Sequence, residues 1–181
     1  MLTAMEAVLL VVLGALVTAV GAIMVYAAVT TAPFVRTPRA VIRAALRLAG
    51  LAPGELLIDL GCGHGHVLVI AAREFGARAV GYEFAPHHAF VAWLAAALRG
   101  QGRATVRWGD LYAADISHAD VIYIWLTPHA LPRLIPKLMA ETRPSTRVVA
   151  FSSPIPGWEP IRTELVCGGR YRVFLYSVPT R

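Results

Sequence analysis

The chain has 181 residues, of which 57% are hydrophobic and only 15% charged, with a formal net charge of +6. That length suits one domain with a full core, and the apolar excess excludes an ordinary soluble domain as the whole account. The two cysteines, Cys62 and Cys167, lie too far apart for a disulfide framework or a metal spacing, so a reducing compartment fits, and the surplus of cations points to an anionic neighbour.

From Ala7 to Val35 no charged residue occurs. Residues 7–29 are enough to cross a hydrocarbon layer of about 30 Å as a helix. A cleaved signal peptide would open on Lys or Arg, but the leading charge here is Glu6. A buried core helix rarely stays uncharged for so long. Residues 1–32 are therefore expected to form a transmembrane anchor, with Gly14 and Gly21 placing small residues on one face. Arg36, Arg39, Arg43 and Arg47 follow the span and only Glu6 precedes it. The positive-inside rule then puts a short N-terminus outside and the rest of the chain in the cytoplasm, as a single-pass membrane protein.

Residues 33–50 read as a basic juxtamembrane helix. Thr37-Pro38 has the form of an N-cap followed by proline at the first helical position, and Gly50 ends the helix. Arg39, Arg43 and Arg47 fall on one face, opposite Val41, Ala44, Ala45 and Leu48. With Arg36 they are expected to meet anionic lipid headgroups, at about 1 kcal/mol per charge.

Residues 51–181 carry the chemistry. Leu56 to Leu60 is a short apolar run after Pro53-Gly54, as a buried parallel strand should be. It runs into Asp59-x-Gly61-x-Gly63-x-Gly65, and a helix is expected from Val67 to about Phe75. Glycines permit positive φ and close approach of a ligand, and the helix that follows aims its dipole at it. The spacing is not that of the dinucleotide fingerprint. The acid ahead of the glycines repels a phosphate and suits a cation. A second strand, Ala79 to Glu83, ends in an acid placed to accept from ribose hydroxyls. A helix from Pro86 to Leu98 follows, whose His87-His88 lacks any acid or Cys at ligand spacing, so no metal is expected. The third strand is Ala104 to Trp108 and the fourth Asp120 to Leu126, ending at Thr127-Pro128-His129. Arg147 to Phe151 is a fifth strand, and Ile161 to Val166 with Arg170 to Val178 form a closing pair around Gly168-Gly169.

The segment from Asp59 to Gly65 resembles motif I of the class I S-adenosylmethionine (SAM) methyltransferases. That resemblance implies an α/β fold, a Rossmann-like seven-stranded sheet with a reversed last strand, here preceded by one transmembrane helix. It implies SAM as cofactor, held around Asp59, Gly61, Cys62, Gly63 and Gly65, with Glu83 and Phe84 at the ribose. Asp110 would accept from the adenine amino group, and Leu111 or Trp108 would cover its face. Within the class, the stretch from about Pro33 to Trp158 is similar to the membrane-anchored protein-lysine methyltransferases of mitochondria, those of the ATP synthase c subunit and the adenine nucleotide translocase, and to their archaeal relatives. The segments that carry this likeness are Pro33-Phe34-Val35-x-Thr37-Pro38, Ala77 to Glu83, Asp110-Leu111-Tyr112-x-x-Asp115-Ile116-Ser117 and Pro156-x-Trp158-x-Pro160. The likeness adds Thr37 to the cofactor contacts. His64 and His66 depart from the family's usual acid and Arg, and Leu126-Thr127-Pro128-His129 departs from its Val-Pro pair.

The end of the fourth strand faces the same crevice, so Trp125, Thr127 and His129 are candidates for positioning the methyl acceptor. Phe34, Pro128 and Trp158 are candidates for a channel wall. The expected acceptor is a lysine of a membrane-associated protein. Nucleic acid is not expected, because the fourth strand lacks the (D/N)-P-P-(Y/F) box of exocyclic-amine enzymes. Two other readings remain open at this point. One is methylation of a membrane-borne quinone, isoprenoid or lipid headgroup. The other is a SAM-binding adaptor without turnover.

Overall fold

The computed structural model describes residues 3–30 and 36–179. Helix α1, Ala4–Thr30, is a single unbroken helix whose residues 4–22 are all exposed. Its Ala4–Ile23 part has a mean hydropathy of 2.4 and none of it is buried, so it is no core helix of this domain. By length and composition it is able to cross a membrane.

A seven-stranded sheet forms the centre, built from β1 (Leu56–Leu60), β2 (Arg78–Glu83), β3 (Ala104–Trp108), β4 (Val121–Ile124), β5 (Arg147–Phe151), β6 (Arg162–Val166) and β7 (Tyr171–Ser177). Their order is β3-β2-β1-β4-β5-β7-β6. The first five strands are parallel, and β7 runs antiparallel between β5 and β6. The reversed last strand, β7, is as the resemblance implies. The strand order switches direction between β1 and β4, which opens a crevice at their carboxyl ends. The register sets Asp59 between Gly81 and Tyr123, one residue short of that crevice.

Helices α2 (Arg39–Leu48), α3 (His66–Glu74) and α4 (Pro86–Arg99) cover one face, and α5 (Leu131–Glu141) serves the other. Gly65, in the left-handed region at φ 73°, occupies the N-cap position of α3. A side chain at Gly65 would also press on the backbone of Ala92 in α4. The turn therefore needs glycine for two reasons, its dihedral angles and the helix packing behind it.

Helix α2 buries the apolar face that lies opposite Arg39, Arg43 and Arg47. Val41, Ile42, Ala44, Ala45, Leu46 and Leu48 are buried, and α2 shares one core with α3, β5 and β7. Arg147 clamps its end. The guanidinium donates to the Ala49 and Gly50 carbonyls at 2.7 and 2.8 Å and to Glu55, so the last carbonyls of α2 gain donors. Arg43 is held by Glu74 in a two-pronged ion pair at 2.6 and 2.8 Å, and not left for lipid. The N-cap position is taken by Pro38, with φ −59° and ψ 137°, and Thr37 caps nothing.

Gly81 shows how tightly the glycine turn is fitted. A Cβ there would lie 2.6 Å from Leu68 Cδ1 and 2.7 Å from both Cβ and Sγ of Cys62. Overpacking of this kind costs about 1–3 kcal/mol. Gly81→Ala is expected to lower the melting temperature, and adding Cys62→Gly should recover part of the loss. Equal melting temperatures for wild type and Gly81→Ala would contradict this packing.

Candidate active site

The site forms where β1, β2 and β4 end. Asp59 is 2% exposed. Among the described residues its carboxylate receives no hydrogen bond, and Glu83 is near enough to repel it. Burial first, and Glu83 second, push its pKa from 3.8 up to about 8. A buried acid without a donor calls for a cationic partner.

Glu83 is better supplied. Its Oε2 accepts from the Gly63 amide at 2.8 Å and its Oε1 from the Ala85 amide at 2.9 Å. Burial still holds its pKa above the ordinary value, with the Ala85 and Gly63 amides pulling it back. Each oxygen keeps a second lone pair, so the carboxylate remains able to accept from a pair of hydroxyls. The Gly61 and Cys62 amides both donate to the Tyr82 carbonyl at 3.0 Å, which welds the glycine turn to the end of β2. Cys62 accordingly sits under the turn, not on its open side. Its thiol is buried, and burial, then Asp59 and Glu83, push it well above its usual range.

The adenine side is set by β2 and β3. Trp108 Nε1 donates to the Phe84 carbonyl at 2.8 Å, fixing the backbone beyond Glu83. Asp110 uses one oxygen to accept from the Tyr112 amide at 2.9 Å, at the head of a short 3-10 turn, Leu111–Ala113. Leu111 is buried beneath that turn. Tyr112 closes the loop towards α5, donating from its hydroxyl to the Ala130 carbonyl at 3.1 Å under the Arg133 guanidinium.

The acceptor side is less uniform. Strand β4 stops at Ile124, so Trp125 and Leu126 lie beyond it. Trp125 packs on Phe151 with centroids 4.8 Å apart, and it shares a cavity of about 40 Å³ with Thr37 and Cys62. The Thr127 carbonyl accepts from the Ala130 and Leu131 amides and so starts α5, while Pro128 and His129 stand exposed at the rim. Trp158 lies in the core cluster that also holds Tyr82, Leu111 and Leu126. It is 9% exposed and packs edge-on against Tyr176, because the loop that carries it folds onto the far core. Phe34 lies outside the described residues.

Two groups stand at the site to which the sequence reading gave no site role. Tyr123, opposite Asp59 in the register, is fully buried and has no partner for its hydroxyl with good geometry among the described residues. Burial and Asp59 raise its pKa, and a weak interaction with the Thr37 side chain opposes them. A tyrosine inside the apolar run of β4 was the available signal. The second group is a histidine cluster on the outer rim of the turn. His64 and His88 have centroids 5.0 Å apart and His87 and His88 4.0 Å. Burial and then His87 and His64 lower His88 to about 4.

The sheet order, the glycine turn, the unbonded buried acid and the strand-end Glu83 together define a class I SAM-dependent methyltransferase. SAM fits this site, since it offers an ammonium and a sulfonium to Asp59 and a ribose diol to Glu83. The chain belongs to the ANTKMT methyltransferase domain family, whose model matches residues 59–162. It is 35% identical to a protein-lysine N-methyltransferase of Saccharolobus islandicus over 81% of this chain and 93% of that one. The mouse adenine nucleotide translocase lysine N-methyltransferase is 34% identical over 70% of this chain, of which the chain spans only 54%. Among solved structures, an RNA methyltransferase from Salinibacter ruber in complex with S-adenosyl-L-homocysteine superposes with a TM-score of 0.77, at 34% identity, over 81% of this chain and 95% of that one.

Proposed function

We propose that this chain transfers the methyl group of SAM to a lysine amine of a protein, and that it does so at a membrane surface. The observation that carries the lysine reading is the 35% identity to a protein-lysine N-methyltransferase over nearly the whole of that relative. The membrane reading rests on α1, and on where α1 touches the domain. Tyr26 of α1 packs against Phe84, with centroids 5.5 Å apart. Beyond it, Phe90, Trp93 and Trp108 are 63%, 55% and 65% exposed around an apolar groove of about 250 Å³. Aromatic rings are suited to the headgroup level of a bilayer. The cations that follow α1 favour a cytoplasmic domain and an N-terminus outside.

SAM supplies a methyl group on a sulfonium. The protein's part is to hold the acceptor nitrogen about 3–3.5 Å from that carbon, in line with sulfur. Asp59 faces the cationic end of SAM and Glu83 takes the ribose. Asp110 keeps one carboxylate oxygen for the adenine amine. Trp125 and Thr127, at the end of β4, frame the approach of the amine. The amine must arrive neutral, and a dry approach lowers its pKa. His129, exposed at the rim, or water would receive the released proton.

Glu83→Gln is expected to weaken SAM binding about tenfold to a hundredfold. An amide loses charge-assisted acceptance and points an NH2 at a backbone donor. Calorimetric titration with SAM checks this, and unchanged affinity would remove Glu83 from the site.

A second reading has its own support. The Salinibacter ruber structure is described as an RNA methyltransferase, and it is as similar to this chain as the lysine enzymes are. Protein in nanodiscs should be given radiolabelled SAM with membranes and total RNA of the source organism, and label counted in protein, lipid and RNA. Label on protein supports the proposal. Label confined to RNA or to lipid overturns it.

A further inference from the structure

We propose that the cleft between α2, α3 and α4 is a binding site for a phosphate-bearing anion, distinct from the crevice at Asp59 and Glu83 although it adjoins the glycine turn through His64 and His66. The cleft has a volume of about 510 Å³ and is lined by Arg39, Arg43, Arg73, Arg99, His64 and His66. The single carboxylate in its lining is Glu74. That carboxylate is already engaged, since both its oxygens accept from Arg43. Among the described residues Arg39, Arg73 and Arg99 form no ion pair. Three guanidinium groups from three different helices therefore face one cavity whose single carboxylate is bonded to a fourth, Arg43.

Burial and the surrounding cations hold the two histidines below their usual pKa, with Arg36 the nearest contributor. Arg36 lies 3.0 Å from His66 Nε2. Arginine has no acceptor, so Nε2 accepts and the ring proton sits on Nδ1. The ring is thus kept neutral and joins the cleft without adding to its repulsion. Like charges drawn together in this way are costly unless an anion joins them, and guanidinium groups match phosphate oxygens two at a time. The cleft is larger than one phosphate and opens to the surface, with Arg39, Arg73 and Arg99 exposed along it. It has room for a phosphate on a small body. Two sources share that chemistry. A phospholipid headgroup is one, because Arg39 follows closely on α1. A free phosphate or phosphomonoester is the other.

The inference does not depend on lysine being the methyl acceptor. The test uses the full chain in phosphatidylcholine nanodiscs at physiological ionic strength, with histidine side chains labelled for NMR. Inorganic phosphate and pyrophosphate are titrated in one arm. In the other, phosphatidylglycerol replaces part of the lipid and no phosphate is added. The proposal predicts a saturable shift of His64 and His66 in at least one arm. Arg73→Gln and Arg99→Gln should each weaken binding about tenfold, and Arg99→Lys should weaken it less. Thermal melts report whether each variant folds, and Arg39→Gln replaces any that does not. A shift with soluble phosphate assigns the free anion, and a shift with phosphatidylglycerol alone assigns the headgroup. No saturable shift in either arm would overturn the proposal. So would binding that the folded variants leave unchanged, or a shift produced by single-stranded RNA alone.

Discussion

Asp59→Asn is expected to do two opposite things: weaken SAM binding about a hundredfold and raise the melting temperature of the ligand-free protein by about 5 °C. Both follow from one observation. The carboxyl group is buried, lacks a hydrogen-bond donor among the described residues, and has its pKa raised from 3.8 to about 8. A carboxyl whose pKa is higher folded than unfolded binds its proton more tightly in the native state. Its penalty is absent below the unfolded value. Stability therefore falls as pH climbs from 3.8 towards about 8. Asparagine has no charge to bury and removes that slope. Ligand binding runs the other way. A cation selects the ionised carboxylate, so a proton must leave. SAM affinity should rise about tenfold per pH unit on the approach to pH 8 and flatten there. Glu83 beside it also has its pKa held above the ordinary value, chiefly by burial, and shares in the effect. Thermal melts and SAM titrations across pH check both signs. A less stable Asp59→Asn protein, or wild-type SAM affinity independent of pH, would contradict this account of the acid.

The second large effect is expected from removing residues 1–30. The cofactor crevice is built from β1, β2, β3 and β4, and α1 meets it where Tyr26 packs against Phe84. Turnover with a soluble lysine peptide should stay within about threefold of the full chain. Turnover on the membrane-borne acceptor should fall by about 10²–10⁴, the range by which a tether raises local concentration. Equal losses on both substrates would mean that α1 supports the site itself. No loss on either would leave it without the proposed role.

The sequence made some of these features legible for definite reasons. The apolar run Leu56 to Leu60, the acid inside it and the glycines after it each have a local cause, and the structure keeps all of them in register. Glu83 was placed by its position at a strand end. What stayed hidden depends on long-range packing. Three arginines along α2 suggested a solvated or lipid-facing stripe, but Arg43 finds Glu74 on α3. Arg147 reaches back to the end of α2 across the fold. Trp158 lies in a loop of prolines and glycine that gives no periodicity, so only the structure reveals that its ring is buried on Tyr176. The cationic cleft takes Arg73 from α3 and Arg99 from α4, residues that nothing in the local pattern connects to Arg39.

The central claim is methyl transfer to a protein lysine in the crevice at Asp59 and Glu83. The most direct measurement is mass spectrometry of source-organism membranes incubated with the full chain and SAM carrying a trideuterated methyl group. Deuterated methyl on one lysine of one membrane protein, absent with Asp59→Asn, is the predicted result. Deuterium on no lysine, with SAM still consumed and label recovered from RNA or lipid, would contradict it.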